Sequence, residues 1–285
     1  MANPIEYDPA DIVEEIDGDV ENAKPEIEDI ILQQKVVTDR ELKVRLERQF
    51  FPWVTGRALL AMEQEGIVER VGYAGRRSKT KRVPESFFIS YGTRYEDVVG
   101  IIMKKYRVTR DVNAILTAHA PAGEHAEDLF ERAFKTLGFK IHGRNMSKFK
   151  DRTVRGRKGK QPPDLDFIIE KDKVVYGVDV KNWIKYEYGT RKTVRFKRNL
   201  ALQLKVVPFI IARYVDKETI YVDVIQKGGI CYPYQTLLVP PSYESLASEA
   251  NSLLGYPIIS RDSLPKYKVE WIKKLHEDFL KKKIS

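Results

Sequence analysis

Cysteine is almost missing: Cys231 is the only one in 285 residues. A single thiol excludes an intramolecular disulfide framework and any zinc cluster built on several thiolates. Histidine is scarce as well. His119, His125, His142 and His276 share no metal-ligand spacing and none has an evident Ser or Cys partner, so each reads as a satisfied or exposed side chain. Long apolar runs are lacking too. VVPFIIA, residues Val206 to Ala212, is about a third of a membrane span. The N-terminus MANPIEYDPADIVEEID is acidic and has no apolar segment of the kind a signal or transit peptide needs. No G-x-x-x-x-G-K-[ST] loop is present, so no ATP site is expected in this chain. These absences describe a soluble, cytoplasmic protein with no membrane partner.

Charge is what the chain has in quantity. Fifty Lys and Arg face 41 Asp and Glu, a net +9, while 42% of residues are hydrophobic, enough for a core under a charged surface. The excess favours an anionic partner. It is unevenly spread: residues 1–34 hold eleven acids and one cation, Lys24. Residues 1–24 read as a loosely ordered acidic arm, either a solubilising tail or a segment competing with DNA for a basic surface.

From 25 to 91 the pattern is compact. Ile27, Ile30 and Ile31 give one apolar face of a short helix. Thr38 with Glu41 reads as a capping box for the next, which carries Leu42 and Leu46. Pro52 opens a third helix through Gln64, with Gly66 placed to end it. Two short strands follow, IVERV and FFIS, around the loop GYAGRRSKTKRVPES. Three helices and a hairpin with a basic tip resemble a winged helix-turn-helix domain. Arg70, Arg76, Arg77, Lys79, Lys81 and Arg82 fall within thirteen residues that contain no acid, a composition suited to lying along phosphates. Trp53, Thr55, Arg57 and Gln64 are candidates on the third helix for contact with the major groove. The plainer alternative is a helical interaction domain with a solvated basic loop. Two helices, YEDVVGIIMKKY and RDVNAILTAHA (capped by Thr109), form an expected connector over 92–120.

Residues 121–285 read as helix, strand, long loop, strand, strand, helix, strand: an α/β core with a central mixed sheet. In KVVYGVDVK, Asp179 and Lys181 are two apart on a strand and share a face, while Val178 and Val180 take the other. An Asp and a Lys closing an apolar strand are costly to bury. A divalent cation between carboxylates relieves that cost, and the amine can then steer a water, which are the parts needed to hydrolyse a phosphodiester.

The stretch PPDLDFIIEKDKVVYGVDVKN resembles the PD-(D/E)XK superfamily of restriction-endonuclease-like and resolvase-like nucleases, over roughly residues 123–213. Asp179 and Lys181 match the second half of the motif. The first acid is open between Asp164, which literally follows a proline, and Asp166, which leads the apolar run; the spacing favours Asp166, with Asp164 the alternative. Gly123 to Glu127 and Gly138-Phe139 match the family's opening helix, so Glu127 is the helical carboxylate, with Glu124 and Glu131 as runners-up. The resemblance implies Mg²⁺ (or Mn²⁺ in its place) held by Asp166, Asp179, Glu127 and the Val180 backbone carbonyl, with Lys181 positioning the nucleophile. All-oxygen ligation suits those ions better than Zn²⁺.

Two basic runs flank the pair. Residues 140–160 carry nine Lys or Arg and one acid, Asp151, with Arg155, Arg157 and Lys158 as expected DNA contacts; residues 181–205 carry eight and one acid, Glu187. Trp183, Tyr186 and Tyr188 are available to stack. The C-terminal helix, residues 266–283, reads as a packing or dimerising helix. The expected function is a Mg²⁺-dependent endonuclease acting on double-stranded or branched DNA, intracellular and DNA-associated, with a homodimer expected only because many superfamily members pair. The alternative is a winged-helix DNA-binding regulator or assembly protein whose nuclease-like core does not cut. RNA remains a further substrate class.

Overall fold

A computed structural model describes residues 9–72, 86–116, 121–155, 161–184, 189–215 and 219–284. The chain divides into two compact units, residues 1–111 with 248–256, and residues 112–247 with 257–285. Sequence reasoning had put the boundary at 121.

The first unit begins with α1 (Pro9–Gln34), followed by β1 (Val37–Thr38), α2 (Asp39–Leu46), α3 (Pro52–Gln64), β2 (Val68–Val71), β3 (Phe87–Ser90) and α4 (Tyr95–Leu116). The acidic arm expected to be loosely ordered is therefore helix from Pro9 onward, and Val20 and Ala23 bury against Ile27, Ile31, Leu42, Val54, Leu59 and Phe88. Apolar residues on an i, i+3/i+4, i+7 spacing anchor that helix despite its acids. The strands form an antiparallel sheet in the order β1-β3-β2. Thr38 caps α2, its Oγ1 accepting from the Glu41 N–H at 3.0 Å.

Three expectations change here. The connector helices are one continuous helix, α4, and Thr109, read as a cap, lies buried within it. Thr55, read as a groove contact, is buried with the core face of α3, while Arg57 and Gln64 stay exposed. Arg70 is also not a free wing cation: it pairs with Glu63 at 2.6 Å and lies over the Phe88 ring.

The second unit is a mixed α/β layer structure. Its elements are α5 (Pro121–Thr136), β4 (Lys140–Met146), β5 (Lys148–Phe149), β6 (Arg152–Thr153), β7 (Leu165–Lys171), β8 (Val174–Lys181), α6 (Gly189–Gln203), β9 (Val207–Ala212), β10 (Ile230–Pro233), β11 (Leu237–Val239), the start of α7 (Glu244–Leu254, which from residue 248 belongs to the first unit), β12 (Ile258–Ser260) and α8 (Lys266–Ile284). Five strands make the central sheet in the order β10-β9-β8-β7-β4. β4, β7 and β8 run antiparallel, and β8, β9 and β10 run parallel. A short antiparallel pair, β5 with β6, and a parallel pair, β11 with β12, lie outside it.

Alternation along the strands sorts side chains between two faces. Phe167, Ile169, Val178, Val180, Phe209 and Ile211 pack with Leu129, Phe130 and Phe134 of α5 and Ile272 of α8. Of the two roles expected for the C-terminal helix, packing or dimerising, packing is observed: Val269, Leu275 and Phe279 also lie against this core. Leu165 and Ile168 pack instead with Leu200 and Ala201 of α6 and with Leu204 just after it. Gly177 of β8 leaves room for this packing: an added Cβ would stand 2.6 Å from Leu165 Cδ1, 2.7 Å from Val206 Cγ2 and 3.2 Å from Ala201 Cβ of α6. At the end of α5, Gly138 takes φ 77°, which lets the Phe139 N–H reach the Phe134 carbonyl at 2.9 Å. Among the described residues, no helix is long and apolar enough to cross a membrane.

Candidate active site

Strands β7 and β8 are paired neighbours, so an acid near the start of one and an acid near the end of the other meet. Asp166 and Asp179 do so. With Val178 and Val180 committed to the α5 face, Asp179 and Lys181 project to the face covered by α6. All three are withdrawn from solvent: the side chain of Asp179 is 1% exposed, that of Asp166 12% and that of Lys181 17%.

The contacts are specific. Asp166 Oδ2 accepts from the Val180 N–H at 2.6 Å. Lys181 Nζ donates to Asp179 Oδ1 at 2.7 Å, stands 4.0 Å from Asp166 Oδ2 and lies 3.4 Å from the Val180 carbonyl. The Trp183 ring lies 5.8 Å from the same ammonium. A second lysine completes the cluster. Lys197, from α6, is 2.9 Å from Asp179 Oδ1 and 3.9 Å from Asp166 Oδ1, and it donates to the Asp164 carbonyl at 2.7 Å.

Electrostatics follow from this layout. Burial, reinforced by the Asp179 carboxylate, pushes Asp166 up to about 7, although Lys181, Lys197 and the Val180 N–H pull the other way. For Lys181 burial favours the neutral amine, but Asp179, Asp166 and Glu127 outweigh it and hold the amine above the usual lysine value. Burial likewise lifts Glu127 above the usual carboxylate range, partly offset by Arg144 and Lys181.

The expected site residues therefore divide. Asp166, Asp179, Lys181 and the Val180 backbone converge. Asp164 stands beside them with a 43% exposed side chain; its carbonyl accepts from Lys197 at 2.7 Å and its carboxylate lies farther off, at 3.8 Å. Glu127 is close enough to feel both Asp179 and Lys181, but Arg144 engages its carboxylate at 3.3 Å. Glu131 pairs with Lys135 at 2.6 Å, and Glu124 is exposed. Among the described residues, no set of three or more His, Cys, Asp or Glu side chains is gathered as a metal site. Arg155 and Arg57 are exposed; Arg76, Arg77, Lys79, Lys81, Arg82, Arg157, Lys158, Tyr186 and Tyr188 lie outside the described residues.

Two contributors were not assigned a role from the sequence. Lys197 was visible only as one cation in a basic run. Asn182, next to Lys181, is buried with both ends of its amide satisfied. Its Nδ2 donates to the carbonyls of Ala122 at 2.7 Å and Leu238 at 2.6 Å. Its Oδ1 accepts from Tyr234 Oη at 2.8 Å and the Leu238 N–H at 2.9 Å. This amide ties the end of β8 to the first turn of α5 and to β11, which fixes Lys181 and brings α5 to the cluster. Its signal in the sequence was a polar residue continuing an apolar strand.

No protein-family model, curated protein or solved structure matches this chain.

Proposed function

We propose that this protein is a metal-dependent DNA endonuclease, with the 112–247 and 257–285 unit as a restriction-endonuclease-like core and the first unit as a winged-helix DNA-binding domain. The supporting observation is the meeting of Asp166 and Asp179 from paired strands with two lysines in one sheltered cluster. Two carboxylates so close are short of positive charge at Asp166, whose nearest ammoniums stand 3.9 and 4.0 Å away. The donor set is all oxygen, two carboxylates and the Val180 carbonyl, which suits Mg²⁺ or Mn²⁺. Asp166 and Asp179 would hold the ion, with Glu127 reaching it only if released by Arg144. A bound divalent ion polarises a phosphodiester and acidifies a water.

The chain's own groups do the rest. The Val180 N–H fixes the Asp166 carboxylate, so the pair is oriented before any ligand arrives. Lys181, kept charged by the carboxylates, supplies an ammonium that steers a nucleophile and stabilises the negative charge that grows on a phosphoryl oxygen. Burial under α6 limits water and strengthens each of these interactions. Exposed Arg57 and Gln64 on α3 and the basic residues of 140–160 offer contacts to a polyanion. An intracellular, DNA-associated location and a dimer with one site per strand accompany this reading.

One observation favours a second reading, a DNA-binding regulator or assembly protein with a non-cutting core. Both ammoniums already sit on Asp179 Oδ1, and Arg144 already occupies Glu127, so the cluster is neutralised by the protein itself. Measuring duplex binding and cleavage side by side for Lys181→Ala separates the two. The nuclease reading expects cleavage to fall by at least about a hundredfold while binding is kept; cleavage at the unaltered rate removes Lys181 from the chemistry and defeats the proposed mechanism.

A further inference from the structure

The site contains one more cation than the D-x-K motif supplies. Asp179 Oδ1 receives two ammoniums, Lys181 at 2.7 Å and Lys197 at 2.9 Å. This oxygen is also one that an incoming divalent ion would need. The two lysines are not equivalent. Lys181 is held by its own strand two residues from Asp179, against the Val180 carbonyl and the Trp183 ring. Lys197 comes from α6 and already has other acceptors, the Asp164 carbonyl at 2.7 Å and Asp164 Oδ1 at 3.8 Å. It can leave Asp179 without losing all its hydrogen bonds.

We propose that Lys197 is a positioning residue that acts as the resident counter-ion of the carboxylate pair. It yields Asp179 Oδ1 to a divalent cation and withdraws onto Asp164, so metal uptake is an exchange of cations. The proposal rests on the metal-dependent reading above and adds to it a residue and a step. It gives Asp164 a function as well: the acid that literally follows the proline holds the displaced ammonium rather than the metal. The exchange has a physical reason. With both carboxylates ionised and Lys181 as their one ammonium, the cluster would carry one uncompensated buried negative charge. Lys197 neutralises it until a divalent ion arrives, and its withdrawal keeps a third cationic group from crowding the oxygen that Lys181 already engages.

The test is Mn²⁺ binding to the full-length protein without DNA, followed through the electron paramagnetic resonance signal of free Mn²⁺. Removing the competing ammonium in Lys197→Met should tighten the Mn²⁺ Kd by about tenfold. Lys197→Arg keeps the charge and grips carboxylates in a fork, so it should weaken the Kd by about threefold. It also decides the matter if Lys197→Met fails to fold. Lys192→Met, which removes an exposed lysine from the same helix, controls for net charge and should leave the Kd within about twofold. Mn²⁺ binding by the unaltered protein with the same Kd in Lys197→Met and Lys197→Arg would make Lys197 a structural tether and overturn the exchange alone. A shift in Lys192→Met as large as that in Lys197→Met would also overturn it, as a net-charge effect. Absence of any saturable Mn²⁺ binding would overturn the exchange and the metal-dependent reading together.

Discussion

Each unit buries an ion cluster, and the two are built differently. In the first unit, Lys105 donates to both oxygens of Glu41, at 2.9 and 2.6 Å, and to the Val36 carbonyl at 2.6 Å, while Arg45 reaches the same carboxylate at 3.1 Å. The side chains of Lys105 and Glu41 are 1% and 0% exposed. Every oxygen has a donor and one acid has two bases, which is a closed fastening between α4 and α2. In the second unit, both bases crowd one oxygen of Asp179, and Asp166 is left with a backbone N–H and two distant ammoniums. The lysines respond in opposite directions. Burial drags Lys105 below its ordinary value despite Glu41, whereas at Lys181 burial is overcome by two aspartates and a more distant glutamate. Buried charge is therefore no sign of function by itself. The cluster proposed to take a metal is the one whose charges are unevenly shared.

The largest expected effect tests the fastening. Lys105→Met leaves Glu41 buried with Arg45 alone and should cost about 3–5 kcal/mol in chemical denaturation of the first unit's transition. A loss under about 1 kcal/mol would mean that the pair holds nothing together. Glu41→Gln combined with Lys105→Met should recover much of that cost, since the orphaned charge is then gone.

A smaller effect separates the two clusters by pH. Between 3.8 and about 7 the folded state keeps a proton on Asp166 that the unfolded chain has released. The contribution of this group to stability therefore falls as pH rises through that window. In metal-free protein, unfolding midpoints of the parent minus those of Asp166→Asn should decline from pH 4 to about 7. A flat difference would place Asp166 in ordinary solvent-like surroundings and remove the asymmetry drawn between the clusters.

The smallest effect concerns a buried base with no carboxylate beside it. Lys268 donates to the Tyr234 carbonyl, and burial alone pulls it down to about 8. The folded state sheds this proton before the unfolded chain does, so stability should gain modestly as pH rises from about 8 toward 10. That gain should be missing in Lys268→Met. Its persistence would show that another group titrates there, and that burial does not lower Lys268 as it lowers Lys105.

The parts of this account that were legible in the sequence are local. Pro52 and Gly66 bounded α3, Thr38 capped α2, apolar spacing located α5 and α8, and the alternation around Asp179 assigned Lys181 to its face. A central mixed sheet followed from the order of elements, though its edge strand β10 did not. Contacts across long separations were not legible. Glu41 looked like the reciprocal half of a capping box, yet its carboxylate turns to Lys105, 64 residues away. Lys197 reaches Asp179 only because α6 packs on β8 at Gly177, a tertiary fact with no mark in the basic run around it. The acidic segment from Pro9 was misread because composition outweighed the spacing of Val20, Ala23, Ile27 and Ile31. The two connector helices merged because Thr109 is buried within α4 rather than starting a helix.

The central claim is that the Asp166–Asp179 pair cuts nucleic acid with the help of a divalent ion. Supercoiled plasmid, linear duplex and branched DNA incubated with Mg²⁺, Mn²⁺ or EDTA, alongside Asp179→Asn protein, test it most directly. Cleavage that requires the metal and is lost in Asp179→Asn is the predicted result, and the preferred substrate then separates sequence-directed from structure-directed cutting. Tight binding with no cleavage of any substrate under any metal would contradict the claim and leave a DNA-binding protein with a self-neutralised core.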